Sequence, residues 1–367
     1  MIKLEALKIQ NFRGFNDLEM RDFSKINVLL GENNCGKTSV LEAIFLLSGM
    51  SNPQLALNIN LMRKIKPDKN ILKYLFHNLE TVNKPLIIGD FSQNINRKLE
   101  ISPIFEKNVV SRDIGASKQD NSLSLTSLSA IPDILGLDYS YTIKKVHEQS
   151  KTFKSWLRIE QLNVKEMNFK QELSSTYKEN ILSTFLSSDN IDNGLLEQLQ
   201  KLFIAKKENT LNDLLKKFDK TIKGLYVLPN GIYIDKDGIS ERIPLQLMGD
   251  GVRRFLSIAA SIAANNEQNY VCLIDEIENG LHFKSQELMW QTLFTLANVA
   301  NIQLFITTHS LEMLQSLSNV LKKNEFTGMQ NNVKVFSIVN TVKEGFQSYV
   351  RSFEGLDLAL ENLMEIR

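Results

Sequence analysis

The sequence predicts an α/β fold with a mainly parallel sheet and its ligand at the strand ends. Three observations predict it. The apolar run Ile26 to Leu30 (INVLL) leads directly into the glycine-bearing stretch Gly31 to Ser39 (GENNCGKTS), and then into the apolar run Val40 to Leu47. Further on, the short apolar runs Tyr270 to Ile274 and Ile302 to Ile306 alternate with helix-length segments. That alternation is the signature of parallel strands joined by crossover helices. Polar residues follow both short runs, Asp275-Glu276 after one and Thr307 to Ser310 after the other, at the end of the sheet where such folds bind ligands.

Composition narrows the class. The chain has 367 residues, 43% hydrophobic and 23% charged, which suits a globular protein of two or three domains. A formal net charge of +1 provides no global field toward nucleic acid or anionic lipid, and leaves a local basic groove open. No apolar run approaches the roughly 20 residues of a membrane span. The N-terminus alternates apolar and polar residues like a strand and does not resemble a secretory leader. Of the two cysteines, Cys35 lies in the glycine stretch and Cys272 in an apolar strand, where a disulfide would serve no purpose. A reducing cytoplasm is the compartment expected.

Taken in order, Leu4, Ala6, Leu7 and Ile9 mark a first strand, and Phe12 to Phe15 a turn. Residues 1–50 form the first part of an expected head domain, ending in the helix after Gly31 to Ser39. Residues 51–225 carry no nucleotide motif and are expected to form an inserted lobe. Within it Lys84 to Phe105 alternates like paired strands, and Val109 to Ser129 is a serine-rich loop. Asp138 to Leu162 reads as strand, and Met167 to Leu186 and Gly194 to Ile222 read as helical. Residues 226–367 resume the head. A hairpin is expected over Ile232 to Ile243, turning at Lys236 to Gly238, and a helix ends the segment Pro244 to Ala264. Strands at 270–274 and 302–306 alternate with helices at 284–300 and 311–321, and a strand pair at 333–353 precedes a closing helix.

Gly31 to Ser39 has the spacing Gly, four residues, Gly, Lys, Thr. In such a loop successive backbone N–H groups turn inward onto phosphate oxygens, Lys37 adds a point charge, and the Thr38 hydroxyl can hold Mg²⁺. The following helix points its N-terminus at the same phosphates. Asp275 can hold Mg²⁺ directly or through water, and Glu276 can polarise an attacking water. Acid pairs also occur as solvated strand caps. His309 can reach a terminal phosphate or the water, or serve as a structural histidine. Gly249-Asp250-Gly251 starts a helix and offers an anion-binding terminus, or simply a turn; Arg253 and Arg254 just after it can be solvated or paired with acids.

The order of these motifs resembles the ATP-binding-cassette ATPases of the SMC/RecF-like branch. It is most similar to the bacterial AAA-15/AAA-21 group, the ATPase half of the overcoming-lysogenisation-defect family, without that family's Toprim nuclease domain. The stretches carrying the resemblance are Asn11 to Phe15, Gly31 to Ile44, Met248 to Ala259, Leu273 to Phe283 and Phe305 to Ser310. The resemblance implies an ABC-type head that binds ATP with Mg²⁺ and hydrolyses it. The nucleotide would contact Gly31, Glu32, Asn33, Asn34, Cys35, Gly36, Lys37, Thr38 and Ser39, with Arg13 approaching from the N-terminal turn. Thr38 and Asp275 would hold the metal, and Glu276, His309 and Lys37 would carry the chemistry. Two heads would close around ATP, with Gly249 to Gly251 of one covering the nucleotide of the other, and Glu278 to His282 in the dimer-contacting loop. The family's glutamine between the two halves has no motif match here; Gln93 and Gln161 are both candidates. The implied function is a dimeric ATP switch for a separate effector, a nuclease or toxin in anti-phage defence. The alternative is a RecF/SMC-like clamp on DNA.

Overall fold

Strands buried on both faces need cover on both sides. The strands β3 (Ile26–Leu30), β13 (Tyr270–Ile274) and β14 (Ile302–Thr307) are buried at every position. In the computed structural model, which describes residues 2–105, 133–163, 166–188, 192, 194–265 and 269–362, they lie side by side in a six-stranded sheet. Two further strands, β9 (Leu182–Leu186) and β15 (Val333–Thr341), and the edge strand β16 (Gly345–Arg351) complete the order β16-β15-β3-β14-β13-β9. Every pairing is parallel except β15 with β16.

A second, seven-stranded sheet is antiparallel throughout. It holds β1 (Leu4–Phe12), β2 (Phe15–Arg21), β4 (Leu86–Phe91), β5 (Ile95–Phe105), β6 (Ile134–Lys145), β7 (Lys151–Asn163) and β8 (Glu166–Glu172), in the order β2-β1-β4-β5-β6-β7-β8. The mainly parallel sheet of the sequence reading is therefore one of two large sheets. Helix α1 (Lys37–Ser48) packs against strands of both, and it is buried continuously from Ser39 to Ser48. A helix apolar all round needs such an enclosed position.

Six helices build the opposite layer: α3 (Leu195–Ile204), α4 (Glu208–Phe218), α5 (Asp250–Ala263), α6 (Phe283–Val299), α7 (Leu311–Leu321) and α8 (Phe353–Glu361). Side-chain alternation divides the parallel strands between two cores. Val271, Leu273 and Phe305 face α1 and the antiparallel sheet, whereas Cys272, Ile274, Leu304 and Ile306 face the helical layer. Cys35 and Cys272 are both free and buried, and burial pushes the Cys272 thiol up to about 12. No helix among the described residues is long and apolar enough to cross a membrane.

Two expectations differ from what is observed. Met167 to Leu186, read as helical, forms β8 and β9. Its Lys, Gln and Glu content favours helix only weakly, and the free edges of β7 and β13 offer full ladders of hydrogen bonds. Strand pairing also crosses the expected domain limits at 50/51 and 225/226. β4 to β8 extend the sheet that β1 and β2 begin, because β1 presents an unpaired edge to β4, while β9 inserts beside β13. The hairpin expected over Ile232 to Ile243 is present, its turn following Lys236 between β11 (Gly231–Lys236) and the two-residue strand β12 (Ile243–Pro244). A tighter hairpin at Pro229-Asn230 joins β10 (Ile222–Leu228) to β11. Val109 to Ser129 lies outside the described residues.

Candidate nucleotide site

The glycine stretch connects β3 to α1, and its backbone geometry follows from its residues. Asn34 and Gly36 have positive φ, 64° and 91°. A Cβ at Gly36 would lie 2.4 Å from the Phe15 ring, so only glycine lets the loop rest on the turn between β1 and β2. The Lys37 ammonium donates to the carbonyls of Gly31 and Glu32, both at 2.9 Å, and lies 3.8 Å from Cys35 Sγ.

Beside the loop lies a cavity of about 660 Å³, lined by Asn33, Asn34, Gly36, Lys37, Thr38, Ser39, Asp275, Glu276 and His309, with Gly14, Arg63 and Phe346. Residues from three separate strand ends thus meet in one space. The Thr38 hydroxyl donates to the Asp275 carboxylate, whose two oxygens are each 3.0 Å away. Thr307 Oγ1 donates to Asp275 Oδ1 at 2.7 Å and accepts the Glu276 N–H at 2.7 Å. Asp275 is 6% exposed, and burial holds its carboxyl above the ordinary carboxylate range against the pull of those hydroxyls.

Glu276 has φ 52°, an uncommon conformation for a long side chain. Its N–H bond to Thr307 and the turn after β13 hold it there. Burial pushes its carboxyl up, and the neighbouring Asp275 and Glu278 charges push it further, against His309 and Lys37. His309 is half-exposed. Its backbone N–H donates to Glu278 Oε1 at 2.8 Å, and its Nδ1 lies 2.9 Å from the same oxygen. Glu278 thereby fixes the ring at the cavity edge.

Several participants were not visible in sequence. Arg63, just after α2 (Gln54–Met62), lines the cavity. It pairs with buried Glu42 at 2.6 Å and reaches Ser39 Oγ at 3.3 Å; burial works against its charge, but Glu42 outweighs that. Arg254, 1% exposed on α5, donates to the backbone carbonyls of Ser187 and Asp275 and so ties α5 and the chain after β9 to the acid pair. Burial lowers its pKa. Arg63 sits in a basic stretch that resembles any solvated surface, and only its pairing with Glu42 distinguishes it.

Other expected contacts are not brought to this cavity. Arg13 turns away from it: its guanidinium pairs with Glu42 at 3.0 Å and donates to the Tyr74 carbonyl, because the buried carboxylate offers stronger compensation than solvent. Cys35 is buried beneath the loop, and Glu32 faces a neighbouring cavity beside Ile338 to Asn340. Gly249 and Asp250 are exposed at the start of α5, outside the cavity, where Asp250 pairs with Arg253. A Cβ at Gly251 would lie 2.7 Å from the Gly280 carbonyl, so the turn packs closely against the loop after the acid pair. Gln93 is exposed in the link between β4 and β5 and does not line the cavity, and Gln161 falls in β7.

Thr307→Val removes the one hydroxyl that serves both carboxylate residues. It is expected to destabilise the fold by about 1–3 kcal/mol, the cost of leaving the Glu276 N–H unpaired and buried Asp275 with one hydroxyl donor fewer, as a lowered urea midpoint. An unchanged midpoint would contradict this arrangement.

The donors fit a hard divalent cation. Thr38 and Asp275 present oxygen only, and among the described residues no group of three or more His, Cys, Asp or Glu could hold a metal. One carboxylate and one hydroxyl, completed by phosphates and water, is the usual provision for Mg²⁺.

The AAA_15 family model, described as AAA ATPase domain, matches residues 2–225 and 161–314. The chain is similar to the ATP/GTP phosphatase of Helicobacter pylori, 25% identical over 353 residues, covering 88% of this chain and 90% of that protein. It also matches the DNA replication and repair protein RecF of Streptococcus suis, 34% identical over 71 residues, 19% of this chain and 17% of RecF. Among solved structures, an SMC head bound to the C-winged helix domain of ScpA aligns with 96% of this chain and 98% of its own, at 13% identity and TM-score 0.47.

Proposed function

The chain belongs to the AAA_15 family of AAA ATPase domains, and from that premise we propose how its residues divide the hydrolysis of ATP. The observation carrying the proposal is the meeting of Lys37, Thr38, Asp275, Glu276 and His309 around one cavity. The phosphates lie against the loop from Gly31 to Ser39, at the N-terminus of α1, where the backbone N–H groups and the helix dipole favour negative charge. Lys37 exchanges its two carbonyl partners for terminal phosphate oxygens, a charge-assisted contact of greater strength. Thr38 and Asp275 hold Mg²⁺, which when bound neutralises charge on the phosphates.

Glu276 orients the attacking water and accepts its proton. Its raised proton affinity suits a base working near neutral pH. His309, steadied by Glu278, donates to the terminal phosphate and reports its loss after hydrolysis. Arg63 faces the same oxygens while Glu42 keeps it extended.

Dimerisation belongs to this proposal as well. Gly249 and Asp250 lie exposed, with Gly251 half-buried beside them and all three outside their own cavity, which suits a role on the nucleotide of a second copy. ATP closes two heads and hydrolysis releases them, and the chain works in the cytoplasm as a switch for a separate effector protein, a nuclease or toxin. Lys37→Ala should abolish both ATP binding, read by calorimetry, and ATP-induced dimerisation, read by light scattering. A variant that still dimerises with ATP would refute the shared-nucleotide arrangement. Co-purification with products of neighbouring genes tests the effector, and a chain active without any partner would end that part of the proposal.

The short match to RecF favours a second reading, an ATP-dependent clamp on DNA. It requires DNA affinity that appears with ATP and falls steeply with salt.

A further inference from the structure

We propose that the base of the bound nucleotide is seated at Phe346 and Gly14 and held by stacking alone, so that the site takes purine nucleotides without telling adenine from guanine. The seat rests on the nucleotide site already proposed and concerns the other end of the same ligand. Strand order decides which side of the phosphate loop is open to a base. In the order β16-β15-β3-β14-β13-β9 the loop leaves β3, and the acid pair and His309 follow β13 and β14 on one side of it. A nucleotide whose terminal phosphate meets those residues leaves the loop on the opposite side, toward β15 and β16. Neighbouring strands are about 4.8 Å apart, so β16 lies about 10 Å from β3, within reach of a base whose phosphates rest on the loop.

On that side β16 supplies Phe346. Among the described residues it is the one hydrocarbon side chain in a lining that is otherwise polar, charged or glycine. The ring is half-buried and held in place. It meets Phe15 edge to face, with centroids 4.8 Å apart, and Phe15 is the ring on which Gly36 rests. One aromatic ring therefore separates Phe346 from the phosphate loop. Ser348 on the same strand donates to the Glu19 carbonyl of β2 at 2.9 Å, which ties β16 to the N-terminal hairpin. Gly14, in the turn of that hairpin, also lines the cavity. It is exposed, and a Cβ built on it would meet nothing within 4 Å. Open space thus adjoins an aromatic surface at this end of the cavity.

Stacking needs only the π-face that every base has. Discrimination between two bases takes hydrogen bonds to the groups on their edges, and a site without such partners rejects neither. Phe346 has no polar side-chain atom, and Gly14 has no side chain. The polar side chains of the lining belong to the phosphate loop, to the ends of β13 and β14, and to Arg63, whose charge Asp275 supports. They serve phosphate, metal and water, which leaves the base to the ring.

The test is calorimetry on the full chain with Mg²⁺ and three ligands: ATP, GTP and inorganic tripolyphosphate, which has the phosphates and no base. Wild type is expected to bind ATP and GTP with comparable Kd. Phe346→Ala and Gly14→Leu are each expected to weaken both nucleotides by about tenfold, within the range that base–aromatic stacking spans, and to leave tripolyphosphate unchanged. Phe346→Tyr should keep wild-type affinity. Unchanged tripolyphosphate binding shows that the loop is intact; if Phe346→Ala loses it, Gly14→Leu decides alone, since that position is exposed and its φ lies outside the left-handed region. ATP binding untouched by the deciding variant, or a wild-type preference for ATP over GTP beyond about tenfold, would overturn the seat and leave the phosphate site standing. Wild type that binds neither ATP nor tripolyphosphate would overturn both.

Discussion

Glu276→Gln is expected to slow steady-state ATP hydrolysis by about 10²-fold or more while ATP binding persists, since a positioned general base contributes roughly 10²–10⁴-fold. The substitution preserves shape and removes only the ability to take a proton. ATP should then accumulate on the protein, and the closed dimer should outlast that of the wild type in light scattering. The wild-type pH profile supplies an independent check. Burial, then Asp275 and Glu278, raise the Glu276 carboxyl. The base works only when ionised, so kcat/KM should fall as pH drops through a point above the ordinary glutamate range. Equal rates in variant and wild type, or an acid limb at the ordinary glutamate position, would remove Glu276 from the mechanism.

Glu42→Ala is expected to lower stability by about 3–5 kcal/mol, the cost of removing one member of a buried ion pair. Glu42 is 2% exposed in the middle of α1, and its two oxygens accept from both Arg13 and Arg63. Without it the Arg13 side chain, 8% exposed, keeps a charge that nothing compensates. Burial already lowers the Arg13 pKa, with Glu42 as its chief support. Urea unfolding measures the loss. The double variant Glu42→Ala/Arg13→Met should recover part of it, because the stranded charge leaves with the arginine. A single variant as stable as wild type would show that Glu42 does not anchor this cluster. Activity should fall as well, since Arg63 loses the contact that holds it at the cavity.

These two residues illustrate how unequally the site could be read in advance. Glu276 follows an apolar strand and another acid, a local pattern with a chemical meaning. Glu42 sits among Val40, Leu41, Ala43 and Ile44 in a helix, where a lone carboxylate carries no signal of its partners. Arg13 shows the converse. The family resemblance implied its approach to nucleotide, whereas here it pairs with Glu42, 29 residues away. Segment 167–186 was misread for a related reason. Its residues favour helix slightly, and the deciding energy came from edges provided by β7, the strand just before it, and by β13, far along the chain.

The sequence by itself determined the parallel core, the phosphate loop, the acid pair and the histidine that follows the next strand. Each is specified over a few consecutive residues: burial on both faces demands an unbroken apolar run, and a phosphate-cradling turn demands glycine where φ is positive or the chain comes close to its neighbour. The tertiary structure alone decided that one continuous antiparallel sheet unites the N-terminal strands with β4 to β8, that Arg63 and not Arg13 lines the cavity, and that Thr307 and Arg254 hold the acid pair in place. Those outcomes depend on which strand edges meet and which buried charges find partners, a competition settled only once the whole chain has packed.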